Sequence, residues 1–163
     1  MHSYYITLNT KMNIVKNIEQ YKHDFVFYCD PIKNNVMNDG TFIRILYSTD
    51  TFVLNGINLF ISLNDVLIEK YYNKYKCVFN VTTHKVLIEQ IKYIEEELLH
   101  NANIRDKAPQ HNIYDQLKNG NIKIYLDSVD KPHNNLFMLK ISGIWETETQ
   151  YGVTYKFLKI TRP

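Results

Sequence analysis

The residues best suited to chemistry in this chain are aromatic rings that alternate with lysines near the C-terminus. The stretch ISGIWETETQYGVTYKF, residues 141–157, contains Trp145, Tyr151, Tyr155 and Lys156. A flat ring stacks on any nucleobase, at about 1–3 kcal/mol per base, and a neighbouring lysine can meet the phosphate. The pattern therefore makes this stretch a candidate surface for a single-stranded nucleic acid.

The same stretch also fits an ordinary β-hairpin that closes a hydrophobic core. In that arrangement the first strand would direct Phe137, Leu139 and Ile141 into the core, with Trp145 as a further candidate. The second strand would contribute Val153, Tyr155 and Phe157 opposite them. Gly143 can mark a β-bulge that shifts the alternation, which leaves the direction of Trp145 open. Lys140 and Lys159 lie in the same strands and join Lys156 as candidate phosphate contacts.

A second aromatic and basic stretch is EKYYNKYK, residues 69–76. Its candidate binding residues are Lys70, Tyr72, Lys74 and Lys76. Aromatic rings between lysines suit a groove that follows a nucleic-acid backbone. The alternative is an exposed helix end or loop whose tyrosines rest on the core. Arg44 and Tyr47, in the segment TFIRILYS, form a third candidate pair.

Motifs for catalysis or metal binding are not found in the sequence. There is no glycine-rich phosphate loop, paired-cysteine motif or His-Glu-x-x-His, and the histidines at 2, 23, 84, 100, 111 and 133 do not have ligand spacing. Ser142-Gly143 lacks the glycines of a nucleophile elbow. We therefore expect no enzyme, no metal and no cofactor.

The charge balance argues against a strongly basic nucleic-acid-binding protein. Nineteen Lys and Arg residues against 17 Asp and Glu give a net charge of only +2, so any binding site must be a local patch. No apolar run approaches the roughly 18 residues that span a bilayer. The start of the chain does not resemble a signal peptide, so we expect an intracellular protein with Cys29 and Cys77 reduced.

The pattern of apolar residues predicts mostly β-structure. Residues 25–29 form a strand candidate, and TFIRILYS alternates, with Ile43, Ile45 and Tyr47 on one face. Asn55-Gly56 lies between two β-rich runs and predicts a hairpin. Residues 74–82, 121–127 and the pair 136–146 and 153–160 add further strands, the last two joined around 147–152.

One long helix is predicted at about 84–100. Its apolar stripe is Leu87, Ile91, Ile94 and Leu98, with Thr82 or Thr83 as the N-cap and Glu95, Glu96 and Glu97 on the exposed side. A short helix at 113–118 ends at Asn119-Gly120.

These elements predict an α+β protein, mainly β, in which a helix precedes the last core strands. An OB-like β-barrel with one long helix and additional decorating elements fits this order, and a plain α+β sandwich fits it as well. We expect one domain over residues 1–163, with 1–24 as a candidate peripheral segment.

The motif SGIWETETQYGVTYKF, residues 142–157, resembles the end of the OB-fold single-stranded DNA-binding proteins of large DNA viruses of eukaryotes. The matching pattern is a glycine before Ile-Trp-Glu, a polar turn, then Tyr-Gly and Tyr-Lys-Phe. The block TFIRILYST and LNGINLFISL, and the helix VLIEQIKYIEEELL, fit the expected order. The motif does not assign which of its aromatic residues contact DNA and which fill the core.

The resemblance implies a protein that coats single strands during viral DNA replication or recombination, in the host cytoplasm at a viral factory or in the host nucleus. Viral replication proteins and further copies of the chain are the partners that it implies. RNA stays an alternative ligand, because nothing in the sequence reports on a 2′-hydroxyl contact. The ending KFLKITRP differs from the acidic ends with which such binders often recruit partners.

Three hypotheses follow from the sequence. The first is a non-enzymatic protein that binds single-stranded DNA without sequence preference. The alternative is a viral protein-interaction or structural domain, since exposed tyrosines serve protein interfaces as readily as bases. The third is a nuclease or other DNA-processing enzyme, for which no motif argues.

Overall fold

The structure is a computed structural model that describes residues 4–8, 11–34, 40–125 and 135–160. Its strands are β1 Tyr4–Leu8, β2 Lys11–Asn17, β3 Val26–Tyr28, β4 Ile32–Lys33, β5 Thr41–Ser48, β6 Val53–Leu54, β7 Ile57–Ser62, β8 Leu67–Tyr71, β9 Lys74–Val78, β10 Ala108–Gln110, β11 Asn121–Tyr125, β12 Leu136–Glu146 and β13 Gln150–Lys159. The helices are α1 Lys85–Asn101 and α2 Asn112–Lys118, with 3-10 turns at Ile18–Gln20 and His23–Phe25. The chain is therefore α+β and mainly β, and the predicted long helix is confirmed.

The antiparallel hairpin of β12 and β13 is the centre of an open mixed sheet. On one side, β7 pairs with the first half of β12 and β5 with its second half. On the other side, β10 and β11 pair with β13 in parallel. The sheet continues through β9 to β8 at one end and through β2 to β1 at the other.

A β-bulge at Gly143 confirms the prediction made from the sequence. The register of β12 against β13 shifts between Ile141 and Gly143, where β12 also passes from β7 to β5. A Cβ at position 143 would lie 2.2 Å from the carbonyl oxygen of Ile43, so only glycine fits without movement. Because the bulge shifts the alternation, Ile144 is buried and Trp145 lies on the opposite face of the sheet.

The hairpin predicted at Asn55-Gly56 is wrong. β6 pairs with β5, whereas β7 pairs with β12 and β2. Gly56 has a φ of 100°, and a Cβ there would lie 2.6 Å from the carbonyl oxygen of Ile141. The glycine therefore lets the chain cross close to β12, and the buried side chains of β7 stabilise the central position of that strand.

The main hydrophobic core lies between one face of the sheet and the helices. α1 contributes Ile88, Ile91, Ile94, Leu98 and Leu99, which confirms most of the predicted stripe, although Leu87 is only half-buried. The helix begins after His84, without a side-chain cap from the predicted threonines. No helix among the described residues is long and apolar enough to cross a membrane.

Glu95 is completely buried, so the prediction that it lies on the exposed side of α1 is wrong. Its carboxylate accepts the backbone N–H groups of Ile113, at 2.9 Å, and Tyr114, at 2.8 Å. Those groups belong to the first turn of α2, where a helix has no internal acceptors for its N–H groups. Glu95 is therefore the internal cap that fixes α2 against α1.

The other face of the sheet is only partly covered. A small second cluster, centred on Val15, Met138 and Ile160, covers the end of the sheet near β2. From β5 across to β9 the strands present polar and aromatic side chains on this face. This uncovered region is the part of the molecule in which several of the predicted binding residues lie, among them Trp145, Lys140 and Lys156.

Candidate nucleic-acid interface

Strand register determines which side chains share the uncovered face, because directly opposite residues lie on the same side of a sheet and neighbours alternate. Trp145 is opposite Gly152 on β13 and Phe42 on β5. Lys140 is opposite Lys156, Lys123 is opposite Lys76, and Tyr125 is opposite Lys74. The open face is defined by Phe42, Arg44, Lys74, Lys76, Lys123, Tyr125, Lys140, Trp145, Thr154 and Lys156.

Two lysine pairs stand directly across neighbouring strands of the open face. Like charges in this position destabilise a sheet. Lys140 and Lys156 form one pair at the central hairpin, and Lys76 and Lys123 form the other. Glu69 on β8 flanks Lys76 from its other side, but Lys140 has Asn58 of β7 there. The open face thus concentrates positive charge that an anionic ligand would offset.

A groove of about 720 Å³ lies beside β11 and β13 and is lined by residues of the open face together with α2 and the opposite face of β13. We call it the basic groove. Its lining residues are the lysines Lys74, Lys123 and Lys156, the aromatics Tyr125, Trp145, Tyr155 and Phe157, the amides Asn112, Gln116, Asn119 and Asn121, and Val153 and Thr154. None of these described residues is acidic. The groove therefore combines cations, flat rings and hydrogen-bonding amides.

Trp145 is half-buried and lies at one end of the basic groove. Its indole lies against Gly152, since a Cβ at position 152 would be only 2.6 Å from Cζ2. The ring of Phe42 lies against Gly143 in the same way, with the guanidinium carbon of Arg44 6.0 Å from the Phe42 ring centroid. The two glycines of the C-terminal motif are thus the positions on which aromatic rings rest.

At the other end of the groove, Lys74 and Tyr125 form a cation–π contact. The Nζ atom of Lys74 lies 4.8 Å from the Tyr125 ring centroid, and 49% of Tyr125 is exposed. Lys123 and Lys156 are exposed between this pair and Trp145. A single strand crossing the groove would therefore meet a ring near each end and lysines between them.

Tyr155 connects the groove wall to α2. Its hydroxyl lies 2.7 Å from Oε1 of Gln116, to which it donates, and 3.2 Å from the carbonyl oxygen of Asn112. Burial, reinforced by the nearby carboxylates of Glu95 and Asp115, raises the pKa of Tyr155 to about 12. The side chain is therefore a neutral donor that holds α2 beside β13.

Burial also changes the ionisation of Glu95, which holds α2 from its other side. Loss of hydration raises the pKa of Glu95 to about 7, although the N–H donors of Ile113 and Tyr114 act in the opposite direction. The neighbouring Asp115 and Glu96 raise it further. The position of α2, and with it the amide wall of the groove, thus depends on a buried carboxyl group that titrates near neutrality.

Four of the predicted binding residues lie together in the basic groove, namely Lys74, Trp145, Tyr155 and Lys156. Three more lie on the open face outside the groove lining. Lys140 and Lys76 are half-buried there, and Arg44 is exposed, with its guanidinium donating to Oδ1 of Asn55 at 2.8 Å. Lys70 lies on the other face of β8, opposite Tyr75, and Tyr72 is in the β8–β9 turn with 83% of its surface exposed.

The three remaining predicted residues, Tyr47, Tyr151 and Lys159, are buried. The hydroxyl of Tyr47 accepts the N–H of Lys22 at 3.0 Å inside the core. Lys159 places Nζ 4.3 Å from the Phe137 ring centroid, and burial lowers the pKa of its ammonium group. These side chains contribute to packing rather than to the surface, which corrects their assignment as binding residues.

Several groove residues were not predicted from the sequence. Lys123 and Tyr125 could have been predicted, because they alternate with the apolar Ile122 and Ile124 in a strand that was itself predicted. No pattern in the sequence indicated that the amides of α2 would line the groove. They reach the groove because α2 is held between Glu95 and Tyr155, two contacts between residues distant in sequence.

Metal ligands do not cluster in the described part of the chain, where no group of three His, Cys, Asp or Glu side chains could hold an ion. His2 and His133 lie outside the described residues. No protein-family model matches the chain, and no curated protein or solved structure is significantly similar to it.

Proposed function

We propose that the chain binds single-stranded DNA on the open face of its sheet. The observation that carries this proposal is the pair of lysines Lys140 and Lys156, directly opposite each other on the same face of the sheet as Trp145. A phosphate bound on this face would lie close to both ammonium groups.

The chemistry of the basic groove matches the two parts of a nucleotide. Lys74, Lys123 and Lys156 are available for phosphates, and Trp145 and Tyr125 for the faces of bases. Stacking on a ring tolerates any base, so a protein of this kind coats single strands broadly. In a virus, such a coat would serve DNA replication or recombination, with replication proteins and further copies of the chain as partners.

An OB-like arrangement of the strands belongs to the same proposal. In its support, α1 lies between β9 and β11 in the sequence, and these two strands are neighbours in the sheet. An OB fold likewise has a helix between two of its later strands and binds oligonucleotides on a sheet face. The proposed binding face consists of the neighbouring strands β5, β12, β13, β11 and β9.

Protein binding through α1 is a second candidate function. An apolar groove of about 570 Å³ lies between α1 and the 3-10 turn at Ile18–Gln20. Beside it Val86 and Tyr93 are 74% and 62% exposed, which is unusual for large apolar side chains on a helix. This surface has none of the lysine pairs of the open face, so the two functions predict different sensitive residues.

The deciding experiment is fluorescence anisotropy with a labelled 30-mer of oligo-dT and a matched duplex, at low and moderate salt. We expect submicromolar binding to the single strand and much weaker binding to the duplex. With three groove lysines, the affinity should fall by about 2 log units per log unit of salt, at about 0.7 for each phosphate neutralised. Absence of binding to both would contradict the proposal, and degradation of the DNA that requires a divalent metal would favour a nuclease instead.

A further inference from the structure

The open face continues past Phe42 onto the three short strands that pair with β5. Cross-strand register places a side chain of each of these strands on the same face as Trp145, because directly opposite residues share a side of the sheet. On β4, Ile32 is opposite Phe42, on β3 Phe27 is opposite Leu46, and on β6 Val53 is opposite Ser48. We call this surface the apolar strip and define it by Phe27, Ile32, Phe42, Leu46 and Val53.

The apolar strip is exposed although its side chains are large and apolar. Phe27 is 57% exposed, Ile32 55% and Val53 62%, and Phe42 and Leu46 are half-buried between them. Contiguous exposed apolar side chains of this kind mark interaction sites. Of the described residues that register places on the strip, none is acidic, so no carboxylate there would repel a polyanion.

The strip begins directly beside Trp145. Ile32 is opposite Phe42, and Phe42 is opposite Trp145, so the three side chains form one row across β4, β5 and β12. Neighbouring strands lie about 4.8 Å apart, so a nucleic acid that leaves Trp145 meets the Phe42 ring on the next strand. The guanidinium carbon of Arg44 lies 6.0 Å from that ring centroid and supplies the one cation that the described register places beside the strip. This end of the face therefore offers rings for bases and little charge for phosphates.

We infer that the bound strand continues from the basic groove past Trp145 onto the apolar strip, where Phe42 and Phe27 receive bases by stacking. This inference rests on the proposed function and extends its contact surface to β3. A flat ring accepts any base, so the extension adds affinity and length to the site without adding sequence preference. The lysines of the groove meet phosphates, whereas the strip meets bases, so the two ends of the site should respond differently to salt.

The test measures the anisotropy of labelled oligo-dT with native chain and with Phe27→Ala, over a series of salt concentrations and strand lengths. Loss of one stacked base should weaken binding about fivefold or more, and the salt slope should stay unchanged because no phosphate contact is lost. The shortest strand that binds with full affinity should also be shorter for Phe27→Ala. Tyr93→Ala is the matched control, because Tyr93 is an aromatic residue of similar exposure on α1, and it should bind as the native chain does.

The outcomes separate this inference from the proposed function. Equal affinity of Phe27→Ala and the native chain at every strand length, with weaker binding by Trp145→Ala, would overturn the extension and leave single-strand binding intact. A native dimer that became a monomer in Phe27→Ala, with unchanged affinity for oligo-dT, would make the strip an interface between copies and would also overturn it. Failure of the native chain to bind any single strand would overturn the proposed function and this inference together.

Discussion

Trp145 and Gly152 are direct cross-strand neighbours, and the indole of the first rests on the backbone of the second. The contact is close enough that a Cβ at position 152 would lie 2.6 Å from Cζ2 of the ring and 2.8 Å from Nε1. Gly152 therefore sets the height of the indole above the sheet. The bulge at Gly143 sets its side, because it brings Trp145 to the same face as Lys140 and Lys156.

Replacing Gly152 by alanine should displace the indole without changing the hairpin. The backbone at this position is not in the left-handed region, so the effect is steric. We expect a loss of about 1–3 kcal/mol in the free energy of unfolding, as for overpacking, and a shift in the Trp145 emission maximum. Urea denaturation and fluorescence spectra measure both. An unchanged spectrum in Gly152→Ala would contradict the contact, and Thr154→Ala on the same strand is the matched control.

Removing groove lysines should weaken binding in proportion to the phosphates they meet. For Lys123→Ala and Lys156→Ala we expect a lower affinity for oligo-dT and a salt slope reduced by about 0.7 for each change. Lys85→Ala is the control, because Lys85 is exposed on α1, away from the open face. Equal losses in all three variants would mean that binding is diffuse rather than located in the basic groove.

The buried carboxyl of Glu95 should make stability fall as the pH rises. Burial raises the pKa of Glu95 from 4.5 to about 7, so folding favours the protonated form. This stabilisation is complete below pH 4.5 and is lost as the pH rises through 7, which corresponds to roughly 3 kcal/mol at 1.36 kcal/mol per pKa unit. Urea denaturation of the native chain and of Glu95→Gln between pH 4.5 and 8 isolates this contribution.

The groups around Glu95 determine how that experiment is interpreted. Asp115 of α2 and Glu96 of α1 raise the pKa of Glu95, and Tyr155 of β13 stays neutral throughout this pH range. Between pH 5 and 8 we expect the native chain to lose stability relative to Glu95→Gln. A difference between the two proteins that did not vary with pH would show that Glu95 ionises normally.

Arg44 and Tyr47 provide a test of which face of β5 matters for binding. Arg44 is exposed on the open face, whereas Tyr47 is 1% exposed and bonded to the backbone of Lys22. We expect Arg44→Ala to weaken binding of oligo-dT with little change in stability. Tyr47→Phe should cost about 1 kcal/mol of stability through the lost hydrogen bond, without changing affinity. The reverse result would place the binding face on the other side of the strand.

Local patterns in the sequence predicted much of the fold because the relevant forces act between near neighbours. The alternation in 41–48 correctly identified the buried face of β5, and the spacing of apolar residues located α1. The same alternation already separates Arg44 from Tyr47, so these two residues could not have formed one surface. Gly143 indicated the bulge because a residue without a side chain inside a strand commonly marks one.

The remaining features depend on contacts between distant residues, which no local pattern reports. The turn residues Asn55-Gly56 predicted a hairpin, but β7 is stabilised by pairing with β12, some 80 positions further on. Glu95 was assigned to the exposed side because a carboxylate is normally exposed. The backbone N–H groups that satisfy it when buried belong to α2, which lies further along the chain. The spacing Ile88, Ile91, Glu95 and Leu98 does follow the buried stripe, and it could have identified the position as internal.

The central claim is that single-stranded DNA lies on the open face beside Trp145, which is the sole tryptophan of the chain. The most direct test is to titrate the protein with oligo-dT while following tryptophan fluorescence and the anisotropy of a labelled strand together. The account predicts that the fluorescence is quenched over the same concentration range in which the anisotropy rises, and that both changes diminish with salt. Binding by anisotropy with no change in Trp145 emission would contradict stacking at this site, and no change in either signal would contradict the proposed function itself.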